Sequence, residues 1–397
     1  PRSTRKESSA ASDVYKRQDI SYPNNKDKGA KLLASGSSSC VFHPNIPCKG
    51  SNDVVSKEKI SKIVYGKKSD KYLNQEKKVN NLIRAIKGFE RWALIYDKYC
   101  KAPDYGNIFK NYDKDIVDCM DDYYEDKFNS TNNMMIGTYG GITFDDYFVD
   151  NILKNKASKT IDKHMYILLK KMEPLFIGLN ELYKNKISHL DIKVNNIVLH
   201  DNKFKYIDFG LSSKLSDNAH FEERGLSEFQ GNRFYLWYPI EYIYSYAKKT
   251  SLEYELSKIT KRKHFDKGGK IFKLFDIDFE ESIKQIIKNR NPDRQQLNSM
   301  IDTYSVGILI PYLFTDFKIT KFISKSFFLK DIFSLFSRMC SFSYNDRIKP
   351  DDCLKVYYSL INKYALLEKG TTKRTIKKKQ KKSIKLKKSK KYVNKFI

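Results

Sequence analysis

The spacing of hydrophobic residues along the chain changes near residue 160. Before it, Lys31–Phe42 and Lys59–Tyr65 have the composition of β-strands, and a turn region rich in Pro, Gly and Asn separates them. Between Asp70 and Ile86 apolar residues recur at helical spacing, which predicts a helix. Residues 97–133 hold an acidic, tyrosine-rich stretch that we interpret as a surface insertion. This part of the chain is therefore predicted to be β-rich with one helix.

Helical spacing dominates after residue 160. Tyr166–Asn185 predicts an amphipathic helix, and Met300–Phe314 is so nearly all apolar that it predicts a buried one. The best candidate for a membrane span, Tyr304–Phe314, has only 11 residues, too few to cross a bilayer. The 397 residues, 40% of them hydrophobic, suffice for one two-lobed domain or for two domains. We expect an α+β fold.

The two ends of the chain differ from the rest in composition. The formal net charge is +28, and the last 29 residues hold 14 Lys and Arg with no acid. Because such charges repel one another, we expect 367–397 to be a basic disordered tail. It is either a solubilising extension, a nuclear targeting signal or a binding segment for nucleic acid or another polyanion. Residues 1–18 are rich in Ser, Ala and Arg, and we interpret them as a non-native leader.

The six cysteines form no C-x-x-C pair. We therefore expect reduced thiols in an intracellular protein. The histidines do not supply clustered ligands at the short spacings that a zinc-type site needs.

Two motifs at a fixed separation carry the strongest functional signal. Residues 189–196 read H-L-D-I-K-V-N-N, and a D-F-G motif begins at Asp208, 17 residues after Asp191. The apolar run Ile197–Leu199 lies between them in a strand–turn–strand pattern. Together they resemble the catalytic loop and the metal-binding motif of the eukaryotic-type protein kinase superfamily.

The resemblance implies a bilobal protein-kinase-like fold. Residues 27–141 would form a small β-rich N-lobe with one key helix and the hinge, and 142–366 a larger, mainly α-helical C-lobe. The 60 residues between Glu241 and Asp302 exceed the short connection of the family, and we interpret about 246–299 as a basic, partly helical insertion.

The residue types fit the needs of phosphoryl transfer, in which most of the catalysis is positioning and electrostatic compensation. By the resemblance, Asp191 accepts the proton of the substrate hydroxyl and Lys193 neutralises the γ-phosphate. Asn196 and Asp208 would hold Mg²⁺, which prefers a few oxygen ligands plus phosphate oxygens. Val198 would belong to the ATP-binding residues. ATP and Mg²⁺ are the implied cofactors.

A degenerate glycine-rich segment precedes these motifs. Leu32–Val41 lies where the family has G-x-G-x-x-G-x-V, but only the middle glycine, Gly36, is present. Ala34 and Ser39 replace the other two, and such small residues still let the backbone approach phosphates. Val41 fits as an apolar cover on the adenine.

Lys62 lies on the third predicted strand between apolar neighbours. It resembles the family's lysine that binds the α- and β-phosphates, and Glu76 on the following helix is its expected partner. Lys59 is the competing lysine, and Glu90 is a weaker alternative to Glu76.

Further landmarks of the family follow in order. Residues 134–144 resemble the hinge that binds the adenine edge. Glu241 stands at the last position of an A-P-E-like segment and could pair with Arg347. Asp302 would accept hydrogen bonds from the backbone of the catalytic loop, where His189 has a structural role.

The substrate class follows from the catalytic loop. Lys193, two residues after Asp191, is the pattern of serine/threonine kinases. Leu190 stands where many kinases have an arginine that meets a phosphorylated activation loop, and leucine cannot pair with phosphate. We therefore predict activity without activation-loop phosphorylation. The segment C-V-F-H-P-N-I-P-C that begins at Cys40 resembles kinases of large DNA viruses.

The leading prediction is an ATP-dependent serine/threonine protein kinase with protein substrates. Its predicted location is intracellular, with the cytoplasm (its own or that of a host cell), a virion and the nucleus as the alternatives. The degenerate glycine segment keeps open a pseudokinase scaffold, which binds nucleotide or partners without transfer. A kinase of a small molecule or lipid is the third hypothesis.

Overall fold

A computed structural model describes residues 30–35, 39–65, 69–111, 132–155, 160–230, 236–242, 263–288 and 293–368. The chain divides into two compact units. The first runs up to Gly141 and also contains Ile207–Ser212, whereas the second comprises Ile142–Tyr206 and the residues from Ser213 onward.

An antiparallel sheet of five strands forms the first unit, in the order β1-β2-β3-β5-β4. Its strands are β1 (Lys31–Ser35), β2 (Ser39–His43), β3 (Lys59–Val64), β4 (Tyr96–Lys101) and β5 (Asn133–Thr138). The helices are α1 (Ser69–Arg84) and α2 (Tyr105–Asn111), with single 3-10 turns at Phe89–Arg91 and Phe209–Leu211.

Alternation along the strands places apolar residues in the core of this unit. On β2 the buried residues are Cys40 and Phe42, which share one face because side chains alternate along a strand. They pack in one cluster with Ile63 of β3 and Met134 of β5. The predicted strand 31–42 is thus two paired strands, and the predictions for β3 and α1 are confirmed within two residues at each end.

Two predictions for this unit are wrong. The stretch 97–133, interpreted as an insertion, begins with β4, which pairs with β5 along its length, and continues with α2, whereas its acidic, tyrosine-rich part at 112–131 lies outside the described residues. Cys48 and Cys100 form a disulfide rather than reduced thiols. The cause is tertiary: the Lys49 N–H donates to the Lys101 carbonyl at 2.9 Å, so the two neighbouring cysteines meet despite 52 residues between them.

The second unit is mainly helical. Its helices are α3 (Phe144–Phe148), which continues as a π-helical turn at Val149–Leu153, α4 (Ile161–Lys171), α5 (Glu173–Lys184), α6 (Asn218–Gln230), α7 (Lys263–Lys273), α8 (Phe279–Lys288), α9 (Arg294–Ser299), α10 (Ile301–Asp316), α11 (Phe327–Met339) and α12 (Pro350–Lys363). Short antiparallel pairs join β6 (Ile187–Ser188) to β9 (Ser213–Lys214) and β7 (Ile197–His200) to β8 (Lys203–Tyr206). Single 3-10 turns lie at Val194–Asn196, Thr320–Phe322 and Ala365–Leu367.

The predicted central helix is confirmed as α10, of which all but three residues are buried. Gly307 lets this helix approach α11 closely, because a Cβ at position 307 would lie 2.6 Å from the Cβ of Met339. The predicted helix Tyr166–Asn185 is instead two helices that meet at Met172. Pro174 explains the break, since proline has no N–H to continue the ladder of α4 but fits the first turn of α5.

The residues of the predicted insertion that the structure describes are helical, and they pack against the core. Phe272 of α7 stacks on Phe279 of α8 at 5.0 Å and lies 6.4 Å from Tyr304 of α10 and 4.5 Å from Phe342. This segment therefore extends the core around α10. The sheet-based first unit and the helical second unit confirm the α+β fold. Within the described part of the chain, every helix is too short or too polar to cross a bilayer.

Candidate active site

Lys62 is buried on β3 and makes two ion pairs. Its Nζ lies 3.1 Å from Glu76 Oε2 and 3.0 Å from Asp208 Oδ1. The lysine side chain is only 10% exposed, whereas that of Asp208 is 39% exposed. The predicted pairing of Lys62 with Glu76 is therefore present. A lysine is rarely buried unless it is paired, and here it has two partners.

The face of α1 that meets the sheet positions Glu76. Val79, Asn80 and Ile83 are buried on the same face, at the i+3, i+4 and i+7 positions from Glu76. Asn80 Nδ2 donates to Tyr99 Oη at 2.8 Å, which ties the helix to β4. The helix is thus fixed at its buried face next to the glutamate.

The D-F-G segment is held against the same pair. Asp208 adopts a left-handed conformation with φ 61°, which a short polar residue tolerates better than most. A Cβ at Gly210 would come within 3.3 Å of Asp208 Oδ1 and 3.4 Å of Glu76 Oε2, so glycine leaves room for the two carboxylates. Gln75 Nε2 donates to the Ser212 carbonyl at 3.4 Å and fixes the end of the segment.

Burial and charge shift the pKa values of this cluster in opposite ways. Burial raises the pKa of Glu76 to about 7, with Lys62 opposing the shift and Asp208 adding to it. For Lys62, burial lowers the pKa, but the negative charges of Asp208 and Glu76 outweigh burial, and the net effect is a pKa well above the usual range. Tyr96 covers the ammonium, with its ring centroid 5.8 Å from Lys62 Nζ. The cluster therefore holds one firmly charged lysine between two acids.

In the second unit, the catalytic-loop residues converge on Asp191. Lys193 Nζ donates to Asp191 Oδ2 at 2.9 Å. Asn196 Nδ2 donates to the same oxygen at 2.7 Å and to the Asp191 carbonyl at 2.9 Å. The side chain of Asp191 is 12% exposed. Both donors orient one carboxylate, and both hydrogen bonds made by Asn196 use its nitrogen, so its amide oxygen is the atom left to serve as an acceptor.

Asp302, in the first turn of α10, holds the backbone of this loop. Its two carboxylate oxygens accept the N–H groups of His189 at 2.6 Å and Leu190 at 3.1 Å. Burial raises the pKa of Asp302, and His189 and the two backbone donors oppose the shift. Leu190 has φ 62°, a conformation that costs a leucine about 1–2 kcal/mol. The predicted hydrogen bonds from the loop backbone to Asp302 are therefore present, and they help to hold that strained residue next to Asp191.

A tight hairpin follows the catalytic loop. Asp201 and Asn202 both have positive φ, the geometry of the two-residue turn that matches the twist of β7 and β8. Val198 is buried on β7 and forms a bridge with Thr143. Tyr206 Oη donates to the Leu175 carbonyl at 2.8 Å and fixes the strand that leads to the D-F-G segment.

Glu241 and Arg347 form a second buried ion pair, as predicted. Arg347 Nη2 donates to Glu241 Oε1, and the arginine side chain is fully buried. The remaining arginine nitrogens reach main chain: Nε donates to the Ser341 carbonyl at 3.1 Å and Nη1 to the Met300 carbonyl at 3.3 Å. Burial raises the pKa of Glu241, with Arg347 opposing the shift. Arg347 therefore links the segment around Glu241 to Ser341, which follows α11, and to Met300, which precedes α10.

The remaining predicted residues lie outside the side-chain ion pairs and hydrogen bonds described above. Val41 pairs with Lys62 across β2 and β3 and is partly buried. The competing lysine, Lys59, is exposed and 3.9 Å from Asp97, and Glu90 is exposed on a 3-10 turn. Gly36 lies outside the described residues, as do the tail from 369 onward and residues 1–18.

Sequence reasoning missed three residues that shape the site. Tyr96 covers Lys62, and Tyr238 donates a hydrogen bond to the Leu190 carbonyl. Arg224 donates to Tyr238 Oη at 3.0 Å. The position of Tyr238 just before the A-P-E-like segment is the only sequence signal, since the contacts join distant parts of the chain.

The donor set suits a hard cation held together with phosphate oxygens. Among the described residues, no group of three or more His, Cys, Asp or Glu side chains could hold a metal ion alone. Asp208 in the first unit carries a carboxylate, and Asn196 in the second carries an amide oxygen; each is an oxygen donor of the kind that Mg²⁺ takes alongside a nucleotide. Taken one by one, these donor types therefore fit magnesium in a nucleotide complex.

Residues 107–250 match the family model of the protein kinase domain. The matched range contains the catalytic loop and the D-F-G segment, and it begins after Lys62 and Glu76. No curated protein matches the chain.

Proposed function

The chain belongs to the protein kinase superfamily, and on that premise we propose that it transfers the γ-phosphate of ATP to serine or threonine hydroxyls of proteins. The observation that carries the proposal is the arrangement at Asp191, whose carboxylate receives hydrogen bonds from both Lys193 and Asn196. A scaffold without transfer has no need for a carboxylate oriented in this way.

The catalytic loop supplies proton acceptance and positive charge. Asp191 accepts the proton of the substrate hydroxyl while the oxygen of that hydroxyl forms the new bond to the γ-phosphorus. The bond from phosphorus to the β–γ bridging oxygen breaks, and ADP leaves with that electron pair. Lys193, next to Asp191, compensates the negative charge on the migrating group.

The Lys62 cluster binds the rest of the nucleotide. Lys62 pairs with the α- and β-phosphates, and Glu76 keeps the ammonium in place when phosphates compete with Asp208 for it. By the family resemblance, Asn196 and Asp208 would hold Mg²⁺, which would supply positive charge to the phosphate oxygens. By the same resemblance, Val41 and Val198 would contact the adenine, and Gly36 would cover the phosphates.

A transfer assay tests this function directly. The full chain is incubated with γ-labelled ATP, Mg²⁺ and a protein acceptor, and the labelled amino acid is identified after acid hydrolysis. We expect phosphoserine and phosphothreonine, and a rate for Asp191→Asn at least about 10²–10⁴-fold lower. Labelled tyrosine alone would overturn the serine/threonine assignment.

Two other results would replace the proposal. Nucleotide binding with no transfer above the Asp191→Asn background would favour the pseudokinase scaffold. Transfer to a small molecule or lipid but to no protein would favour the third hypothesis. Asp208→Asn serves as a second inactive control, since it removes a proposed metal ligand instead of the proton acceptor.

We also propose that the basic tail binds a polyanion such as nucleic acid. Its 14 Lys and Arg without an acid support this. If about 6–10 of them meet phosphates, affinity falls about 10³–10⁵-fold between 50 and 200 mM salt. A chain ending at residue 368, just after the 3-10 turn at Ala365–Leu367, should lose that salt-dependent binding.

A further inference from the structure

The peptide next to Asp191 is held on both sides. The Leu190 N–H donates to Asp302 at 3.1 Å, and the Leu190 carbonyl accepts a hydrogen bond from Tyr238 Oη. This carbonyl belongs to the peptide group whose nitrogen is that of Asp191. A shift of the carbonyl therefore turns the Asp191 backbone with it.

Tyr238 is itself held by a charged donor. It is 2% exposed, and Arg224 Nη2 donates to its hydroxyl oxygen at 3.0 Å while the guanidinium lies 5.8 Å from its ring. A cationic donor polarises the hydroxyl and strengthens the bond that the hydroxyl donates. The chain of bonds thus runs from Arg224 on α6 through Tyr238 to Leu190.

The strained backbone conformation of Leu190 explains what these hydrogen bonds do. Its φ of 62° is a strained conformation for a branched aliphatic residue, and such a residue keeps it only when its surroundings hold it. Asp302 holds one end of the residue. At the other end, the hydroxyl of Tyr238 donates the hydrogen bond that holds the Leu190 carbonyl.

We propose that Tyr238 is a positioning residue for Asp191 and that Arg224 supports it. The proposal rests on the proposed function, since it gives Tyr238 a task in phosphoryl transfer. It assigns that task to the hydroxyl, whereas the ring also packs against Tyr242 at 5.5 Å. A purely structural role would depend on the ring alone.

Tyr242 offers a matched control for the hydroxyl. It is a fully buried tyrosine four residues further along, and its Oη donates to a carbonyl as well, that of Phe221 at 2.9 Å. Tyr238→Phe and Tyr242→Phe thus remove the same group from equally buried sites. Only the first loses a bond to the catalytic loop.

The experiment measures kcat, KM for ATP and amide hydrogen exchange in residues 187–196 for the full chain and both variants. We expect Tyr238→Phe to lower kcat about tenfold with KM for ATP unchanged, because one hydrogen bond is lost at the reacting carboxylate's backbone. Exchange in 187–196 should rise in the same variant. Tyr242→Phe should leave kcat and the exchange in 187–196 close to wild type.

Equal effects of the two variants on kcat and on exchange, or no effect of Tyr238→Phe on either, would overturn the proposal. Arg224→Met should lower kcat in the same direction, and Arg224→Lys should restore part of it by donating to the hydroxyl. Should the wild-type chain transfer no phosphate, the proposed function fails, and the exchange comparison alone decides whether Tyr238 holds the loop.

Discussion

The two buried ion pairs of this protein are built differently. Lys62 is shared by two carboxylates, one of which, Asp208, is 39% exposed. Arg347 has a single carboxylate partner, and its remaining nitrogens are bound by main-chain carbonyls in a fully buried site. The first pair has an accessible, exchangeable partner, and the second has none among the described residues.

We propose that this difference separates a cation that binds phosphate from a structural one. A lysine with a surplus of negative charge around it can release Asp208 to a metal or a phosphate group and still keep Glu76. An arginine whose fork is satisfied on every side gains nothing from a new partner, and its loss strands a buried carboxylate. We therefore expect changes at Lys62 to affect transfer and changes at Arg347 to affect folding.

The largest effect is expected from Arg347→Met. It leaves Glu241 buried without its partner, which costs about 3–5 kcal/mol of unfolding free energy. Urea unfolding followed by circular dichroism measures it. The double variant Arg347→Met with Glu241→Leu should regain part of the loss, because no charge is then left unpaired; a double variant less stable than both single variants would contradict this explanation.

Lys62→Met should abolish most of the transfer with a smaller loss of stability. Removing one preorganised charge from a phosphate site typically costs about 10²–10³-fold in rate. Glu76 can then take up a proton, since burial raises its pKa to about 7 even with the lysine present. Labelled-ATP transfer measures the loss of activity, and urea unfolding of the same sample measures the loss of stability. Lys59→Met, at the exposed neighbouring lysine, is the control and should match wild type.

The raised pKa of Glu76 predicts that stability falls as pH rises. The folded state keeps the proton up to about pH 7, while the unfolded chain releases it near the usual 4.5, so the stabilising contribution is complete below 4.5 and is lost through 7. Between pH 5 and 7.5 this amounts to about 2 kcal/mol. Wild type should lose that much more stability over this range than Glu76→Gln; equal slopes would contradict the buried-acid account.

Phosphatase treatment should have the smallest effect. Leu190 is buried and its backbone is held by Asp302 and Tyr238, so no phosphate is needed to organise the loop. We expect less than about a twofold change in transfer rate after complete dephosphorylation, verified by mass spectrometry. Complete loss of activity would refute the prediction.

The parts that the sequence predicted share local signals. Lys62 lies between apolar residues on a strand and Glu76 lies on a regular helix, so the resemblance to the family could be applied to both positions and implied their pairing. Asp191, Asn196 and Asp208 lie in short motifs whose chemistry is read from residue types. In these places the local pattern and the tertiary structure agree.

The parts that were missed depend on distant contacts. The strand β4 was hidden in an acidic, tyrosine-rich stretch, and its pairing with β5 brings Cys100 to Cys48. The hydrogen bond of Tyr238 joins residues 48 apart in sequence. No periodicity or motif encodes such contacts, because they arise only when the elements pack.

The division of labour between the two ion pairs is tested most directly by the transfer rate per folded molecule. Rates are measured for wild type, Lys62→Met and Arg347→Met, each divided by the folded fraction from unfolding curves at the same temperature. The account predicts that Lys62→Met is slower by at least about 10²-fold, while Arg347→Met stays within about fivefold of wild type. A folded fraction of Arg347→Met as inactive as Lys62→Met, or a Lys62→Met variant as active as wild type, would contradict it.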